Sequence, residues 1–373
     1  MKEQTASGPL RGVRVIEFAG IGPGPFSAML LSDMGADVIS IARPGQGKRD
    51  ARDFVNRGRR TIELDLKNPA HIEQALDLIA AADILIEGFR PQVMERLGLG
   101  PDAALKRNPR LVYGRMTGWG QEGPLSMAAG HDINYIAITG ALDSFRSADG
   151  DTVSPLNLVG DYGGGALYLT VGVLAAVIEA RRSGKGQVVD AAMCDGVSSM
   201  LTMFHGMKAM GRWTDKPRTN LLDGGAHFYR TYECKDGGYI AIGAIEPQFY
   251  AELRKLAGLS DTCYDAQMNR ASWPDLQDRM SALFKTKTRD EWTKILEGSD
   301  ACAAPVVGMF DAPKHPHLAA RKTFVEGDGG LQPAPAPRFS RTTSAIQGSP
   351  AAPLTDAATI LSQWSEATSH HVS

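Results

Sequence analysis

Three segments of the 373-residue chain place ionisable side chains beside glycines or at expected helix starts, where a ligand could reach them. In GHDINYIAITGAL, His131 follows a glycine and precedes Asp132 at an expected helix start. In NLVGDYGGGALY, Asp161 precedes three glycines, expected to form a loop that opens a long buried helix. Glycines there let a substrate approach the backbone, and a helix start offers free N–H groups to an anion. In IAIGAIEPQFY, Glu246 closes an expected strand and is fixed by Pro247. An imidazole and a carboxyl group can work as an acid–base pair, one giving a proton while the other takes one, without metal or redox cofactor. Residue type alone leaves other roles open: a satisfied loop histidine, a helix N-cap for Asp161, a surface carboxylate for Glu246.

A second constellation lies near the N-terminus. VIEFAGIGPGPFSAMLLSDMGADVISIARP (15–44) reads as strand, glycine-rich turn, helix and strand. It departs from a dinucleotide fingerprint at two places. Gly20 and Gly22 are present, but Pro25 stands at the third glycine position. Arg43 closes the second strand, where an acidic residue would hold a ribose diol. A guanidinium suits a phosphate, so a phosphate-bearing adenosine, as in NADP or coenzyme A, fits better than NAD. Alternatively Arg43 is a solvated strand end. Lys48, Arg49, Arg52, Arg57, Arg59, Arg60, Lys67, Arg90 and Arg96 follow. They read either as phosphate ligands at the carboxyl ends of early strands or as a charged surface.

The elements that must position these residues alternate. RVIEFA, DVISIA, RTIELDL, ADILIEGF and LVYGRMTG read as strands; GPFSAMLLSDMG, PAHIEQALDLIAAA and PQVMERLGLGPDAALKRN read as helices. That alternation predicts a parallel sheet covered on both faces. GQVVDAAM reads as a further strand leading into a helix over about 195–211. From residue 225 the texture becomes hairpin-like β followed by helices, and the Pro/Ala-rich tail reads as an extended strap. The expected organisation is a large α/β domain over 1–190, a linker helix over 191–224, a small α+β domain over 225–320 and a strap over 321–373.

Composition narrows the function classes. Hydrophobic residues make up 43%, charged residues 22%, and the formal net charge is −2. That balance fits a globular protein and gives no electrostatic case for nucleic acid. No apolar run reads as the ~18 residues a membrane helix needs, so no membrane insertion is expected. The N-terminus lacks a secretory h-region and SHHVS is not a peroxisomal tripeptide, so a cytoplasmic location is expected. Cys194, Cys234, Cys263 and Cys302 are dispersed and read as reduced thiols, and no metal site is expected.

The segments GHDINY, LVGDYGGGALYL, SGKGQVVDAAMCDG, DGGAHFYRTYEC, GAIEPQFY, GFRPQVMERLGLGP and NPRLVYGRMTGWGQ together resemble the α-methylacyl-CoA racemases of the family III CoA-transferase superfamily. The resemblance spans about residues 8–325. It implies an interlocked homodimer, each protomer having a large Rossmann-like domain and a small α+β domain, with the active site between domains of different protomers. It implies that the Rossmann-like half binds the coenzyme A moiety of a 2-methylacyl-CoA substrate, with no other cofactor. By matched motif, Arg43 faces the adenosine phosphate region. Leu64, Asp65, Leu66, Lys67, Gly88, Phe89, Arg90 and Arg96 contribute to the CoA site, and Gly130, Asp132, Ile133, Asn134 and Tyr135 lie by the thioester. His131 and Asp161 are the implied acid/base residues, supported by the partner's Glu246.

A racemase built this way removes the α-proton from one face of a carbon and returns one to the other through an enolate. The backbone N–H of Asp132 is the candidate donor to the enolate oxygen. Met200, Met203, Met207 and Met210 recur on one helical stripe, either as packing or as an adaptable apolar surface beneath the acyl chain. The rival readings are a CoA-transferase with Asp161 as nucleophile, an NADP-binding oxidoreductase and a non-catalytic CoA-binding protein. The transferases of the superfamily resemble one another in a small-domain run of consecutive glycines, and GAIEPQF occupies that place here.

Overall fold

The computed structural model describes residues 7–147 and 149–369. The chain divides into two units, and the division is not collinear with the sequence. The first comprises the chain up to Ala141, Pro155–Leu201 and everything from Ala320; the second comprises Leu142–Ser154 and Thr202–Ala319.

The first unit is built on six strands: β1 (Arg14–Phe18), β2 (Asp37–Ala42), β3 (Arg59–Glu63), β4 (Ile84–Glu87), β5 (Val112–Thr117) and β6 (Gln187–Ala192). Their order is β3-β2-β1-β4-β5-β6, and every pairing is parallel. β1, β2, β4 and β5 are β-branched-rich and almost wholly buried, as a sheet covered on both faces requires. One face packs on the helices Pro23–Asp33 and Tyr168–Ser183 through Ala28, Leu31, Leu169, Val173 and Val177. The other packs on Pro69–Ala80, Pro101–Arg107 and Ala357–Ser369 through Leu78, Ile79, Ala104, Ile360 and Trp364. Strand order reverses between β1 and β4, which opens a crevice at their carboxyl ends. The turns after β1 and β4, Gly20–Gly22 and Gly88–Arg90, meet there.

Several local expectations change. PQVMERLGLGPDAALKRN forms two short helices, Val93–Arg96 and Pro101–Arg107, because Gly98 turns the chain at φ 73° between them. The helix expected over 195–211 is two, Met193–Met200 and Thr202–Ala209. The Leu201 N–H is shared between the carbonyls of Val197 and Ser198, which tightens and ends the first. The break coincides with the boundary between the units. Leu158–Ser183 is one continuous helical run, apolar and long enough by composition to cross a membrane. This corrects the expectation that no run was long enough. Half of its apolar window is buried, and it serves as a core helix against β5 and β6.

The tail is more than an extended strap. It forms a hairpin, Phe324–Gly327 with Gly330–Pro333, and the terminal helix Ala357–Ser369. Its anchors are polar and buried. Arg57 pairs with Asp33 at 2.6 Å and donates to the Gln332 side chain at 2.9 Å and the Pro333 carbonyl at 2.7 Å. The Trp364 indole donates to Asp37 at 2.7 Å.

The second unit has a three-stranded antiparallel sheet, β7 (Tyr229–Glu233), β8 (Tyr239–Gly243) and β9 (Ala303–Val306), with β8 central. Helices Pro247–Ala257, Trp273–Phe284 and Arg289–Leu296 close an aromatic core of Phe228, Tyr232, Tyr250, Trp273, Phe284 and Trp292. His227 is fully buried in it, its Nε2 2.8 Å from the Tyr250 hydroxyl, and burial pushes its imidazole down to about 4.

Candidate active site

Two pockets of the first unit adjoin at the switch point. One, of about 650 Å³, is lined by the Gly20–Pro25 turn, Gly88–Pro91, Trp119, Gly130, His131, Tyr135, Asn157 and Asp161. The other, of about 930 Å³, is lined by Arg43, Arg49 and Leu64–Lys67. Phe18, Ala19, Gly20, Ile21 and Phe89 line both, so a single elongated ligand can run from one to the other along the ends of β1 and β4.

His131 is the N-cap residue of the helix Asp132–Ile138, and its own N–H donates to the Asn134 side chain at 3.0 Å. That leaves the exposed imidazole beside the pocket wall. The backbone before it is pinned by Tyr135, whose hydroxyl donates to the Gly130 carbonyl and whose ring meets Trp119 edge-on at 4.7 Å. A Cβ at Gly118 would lie 2.0 Å from that ring and one at Gly130 2.7 Å. Neither position tolerates a side chain while Tyr135 stays in place.

Asp161 lies in a π-helical stretch, Leu158–Leu167, that runs directly into Tyr168–Ser183. A glycine-rich loop was expected here. The three glycines instead let the helix Met193–Met200 press against this one. A Cβ at Gly164 would meet the Val197 nitrogen at 2.8 Å, and one at Gly165 the Met193 side chain at 2.9 Å. The wide helix is the form such segments take at functional sites. Asn157, one turn earlier, donates to Asp161 Oδ2 at 3.1 Å. Phe26 and Tyr162 stack at 4.2 Å and join the glycine turn to this helix. Gly22, at φ 72°, would place a Cβ 3.0 Å from Asp161 Oδ2. Burial raises the Asp161 carboxyl above its ordinary value, and the charge of Asp132 adds to this; the Asn157 hydrogen bond and His131 pull it down.

The turn after β4 is held by Glu87, which accepts from the Phe89 N–H at 2.7 Å and pairs with Arg115 at 3.0 Å. Burial pushes this carboxyl up to about 7 despite those partners. In the other pocket Arg43 and Lys67 are exposed cations at the ends of β2 and of the loop after β3. Asp65 accepts from the Lys67 N–H at 3.0 Å, so its carboxylate shapes the turn that presents Lys67.

The structure therefore brings together His131, Asp161, Gly88, Phe89, Arg90, Gly130 and Tyr135 at one pocket and Arg43, Leu64, Asp65, Leu66, Lys67 and Phe89 at the other. Asp132, Ile133 and Asn134 share the helix of His131 but line neither pocket, and neither does Arg96. Glu246 belongs to the second unit, where it is the exposed N-cap residue of Pro247–Ala257. The basic run divides. Arg57 and Arg59 are buried in ion pairs with Asp33 and Glu17, each at 2.6 Å, and Arg52 and Arg60 pair with Asp50 and Asp37. Arg57 and Arg59 hold the fold and are not open to a phosphate, whereas Arg60 is half-buried in its pair and Arg52 with Asp50 is an exposed surface pair. Met200 packs its Sδ 3.4 Å from where a Cβ on Gly163 would stand, while Met203, Met207 and Met210 belong to the second unit.

Asn157 and Trp119 were not singled out by sequence reasoning, and Gly22 was read only as part of the glycine-rich turn, not as a neighbour of Asp161. Asn157 and Asp161 are four residues apart, a helical spacing that a loop assignment hides. No group of three or more His, Cys, Asp and Glu side chains among the described residues is arranged to hold a metal ion.

The chain matches CoA-transferase family III over residues 10–359. It is 43% identical to α-methylacyl-CoA racemase of Mus musculus over 334 residues, which are 89% of this chain and 87% of that one. It is 40% identical to the Homo sapiens α-methylacyl-CoA racemase with the same coverage. A solved CAIB/BAIF family protein from Brucella suis superposes with TM-score 0.79 at 25% identity, covering 96% of this chain and all of the other.

Proposed function

This chain belongs to CoA-transferase family III, and from that premise we propose that it is an α-methylacyl-CoA racemase, interconverting (2R)- and (2S)-2-methylacyl-CoA thioesters by proton transfer between His131 and Asp161. The observation that carries the reading is the meeting of an imidazole and a carboxyl of raised proton affinity in one pocket that adjoins a cationic pocket. Identity of 40–43% to racemases over most of the chain supports the same activity.

CoA lies along both pockets, its phosphates toward Arg43 and Lys67, its thioester toward Gly130 and His131. For one enantiomer His131 takes the α-proton while Asp161 supplies one to the opposite face; for the other the roles exchange. At its ordinary value an aspartic acid is almost fully ionised at neutral pH and a poor donor. Burial in the pocket raises its hold on the proton, and the proton is shared between the two groups, so titration belongs to the pair. The developing enolate oxygen needs a fixed donor, and the backbone N–H of Asp132 at the start of the Asp132–Ile138 helix supplies it. One such donor is worth about 3–4 kcal/mol.

The reaction cycle is completed by a homodimer in which the partner's Glu246 orients His131. The first unit leaves an apolar face uncovered for such an assembly, with Val171 69%, Ile178 71% and Val188 40% exposed.

The test is deuterium uptake from heavy water at the α-carbon of a 2-methylacyl-CoA. Exchange that His131→Ala and Asp161→Asn each reduce by about 10³-fold or more supports the reading. No exchange, with CoA found by mass spectrometry on Asp161 and transfer to an acceptor acid, overturns it in favour of the transferase.

A further inference from the structure

Asp132 is the one ionisable group beside the acid–base pair to which the proton-transfer scheme gives only a backbone role. The residue is 8% exposed. Oδ2 accepts from the backbone N–H of Asp161 at 2.7 Å. The contact exists because residue 160 has no side chain: a Cβ there would lie 2.5 Å from the same oxygen. Oδ1 is buried and has no hydrogen-bond partner among the described residues. A carboxylate so placed ties one helix start to the other. Its charge is also poorly screened by water, so it acts strongly on a neighbouring ionisable group.

We propose that Asp132 is a positioning residue of the acid–base pair. It locks the helix start that carries His131 to the one that carries Asp161, and it supplies the negative charge against which Asp161 ionises. The proposal rests on the racemase reading above and deepens it. The groups that face Asp161 are Asp132, His131 and Tyr135 from the Asp132–Ile138 helix, Asn157 from its own segment and Gly22 from the turn after β1. Burial is the largest influence keeping the Asp161 proton on and the Asn157 hydrogen bond the largest opposing it; the charge of Asp132 assists burial, and His131 opposes it. A second carboxylate beside a catalytic acid costs stability, and such a cost is expected where it tunes a proton affinity.

Two substitutions separate tie from charge. Asp132→Asn keeps an oxygen for the Asp161 N–H and removes the charge. Asp132→Ala removes both. In the Asn variant the Asp161 carboxyl, followed by ¹³C NMR of aspartate-labelled protein and assigned by its loss in Asp161→Asn, should titrate at lower pH than in the wild type. Both limbs of the exchange–pH profile that Asp161 governs should move down with it, and the maximal rate should fall less than in the Ala variant. In the Ala variant the maximal rate should fall about 10²-fold at every pH, the loss expected when reacting groups shift by about 1 Å. An unmoved Asp161 titration in Asp132→Asn overturns the proposal even if Asp132→Ala fails to fold. If the wild type shows no α-exchange yet the Asp161 titration shifts as described, the racemase reading falls and the charge coupling of Asp132 to Asp161 stands.

Discussion

Gly22→Ala tests the geometry of the site without touching an ionisable group. Gly22 has φ 72° and ψ −125°, a conformation open to glycine and strained for any other residue. Holding alanine there costs about 1–3 kcal/mol. The added Cβ would stand 3.0 Å from Asp161 Oδ2 and 3.5 Å from its Cγ, so the carboxylate must give by a few tenths of an ångström. The Asn157 hydrogen bond and the Phe26–Tyr162 stack resist that shift. A cost of about 2 kcal/mol lowers the melting temperature of a unit this size by about 4–8 °C. Reacting groups lose about 10²-fold per ångström of displacement, so kcat for α-deuterium exchange should fall about tenfold. Binding of CoA itself should barely change. Gly24→Ala is the comparison: its Cβ would meet nothing within 4 Å, and it sits in the first turn of a helix. That variant should melt no lower than the wild type. Gly22→Ala with unchanged melting and unchanged exchange would refute both the strain and the contact.

Two further outcomes are expected. His227 is buried neutral, its folded value of about 4 lying below the ordinary 6.5; its contribution to stability is therefore complete above pH 6.5 and drains away as pH falls toward 4. Between pH 7 and pH 5 the second unit should lose about 2 kcal/mol from this group, and His227→Phe should flatten that part of a denaturation–pH series; an equally steep series in the variant would assign the loss elsewhere. Arg43→Ala should raise KM for an acyl-CoA about 10–100-fold at low salt with little change in kcat, the value of one charged hydrogen bond to phosphate, and added salt should narrow the difference; a loss confined to kcat would place Arg43 outside the phosphate site.

Much of the first unit was legible because its signals are local. Runs such as DVISIA and ADILIEGF can hardly be anything but buried strands once helical patterns lie between them. The departure of VIEFAGIGPGPF from the dinucleotide fingerprint and the arginine after β2 pointed to a phosphate-bearing ligand, and Arg43 does line the cationic pocket. The glycines after Asp161 misled because the reason for a glycine is not written beside it. Gly163, Gly164 and Gly165 read as freedom for a loop; they are there so that Met193–Met200, nearly thirty residues on, can approach within contact.

By itself the amino-acid sequence determined the alternating strands and helices, the parallel sheet and its switch-point turns, and the presence of His131, Asp161 and Glu246 as chemically able groups. These follow from periodicity and from backbone preferences that act over a few residues. Only the tertiary structure decided which arginines are open to a ligand. Arg57 and Arg59 are two residues apart in the same basic run as Lys48 and Arg49, yet they are buried against Asp33 and Glu17. It also decided that Gly22 and Asp132 touch the segment of Asp161. A charge's role depends on its partner and on its distance from water, and both are fixed by contacts between residues far apart in the chain.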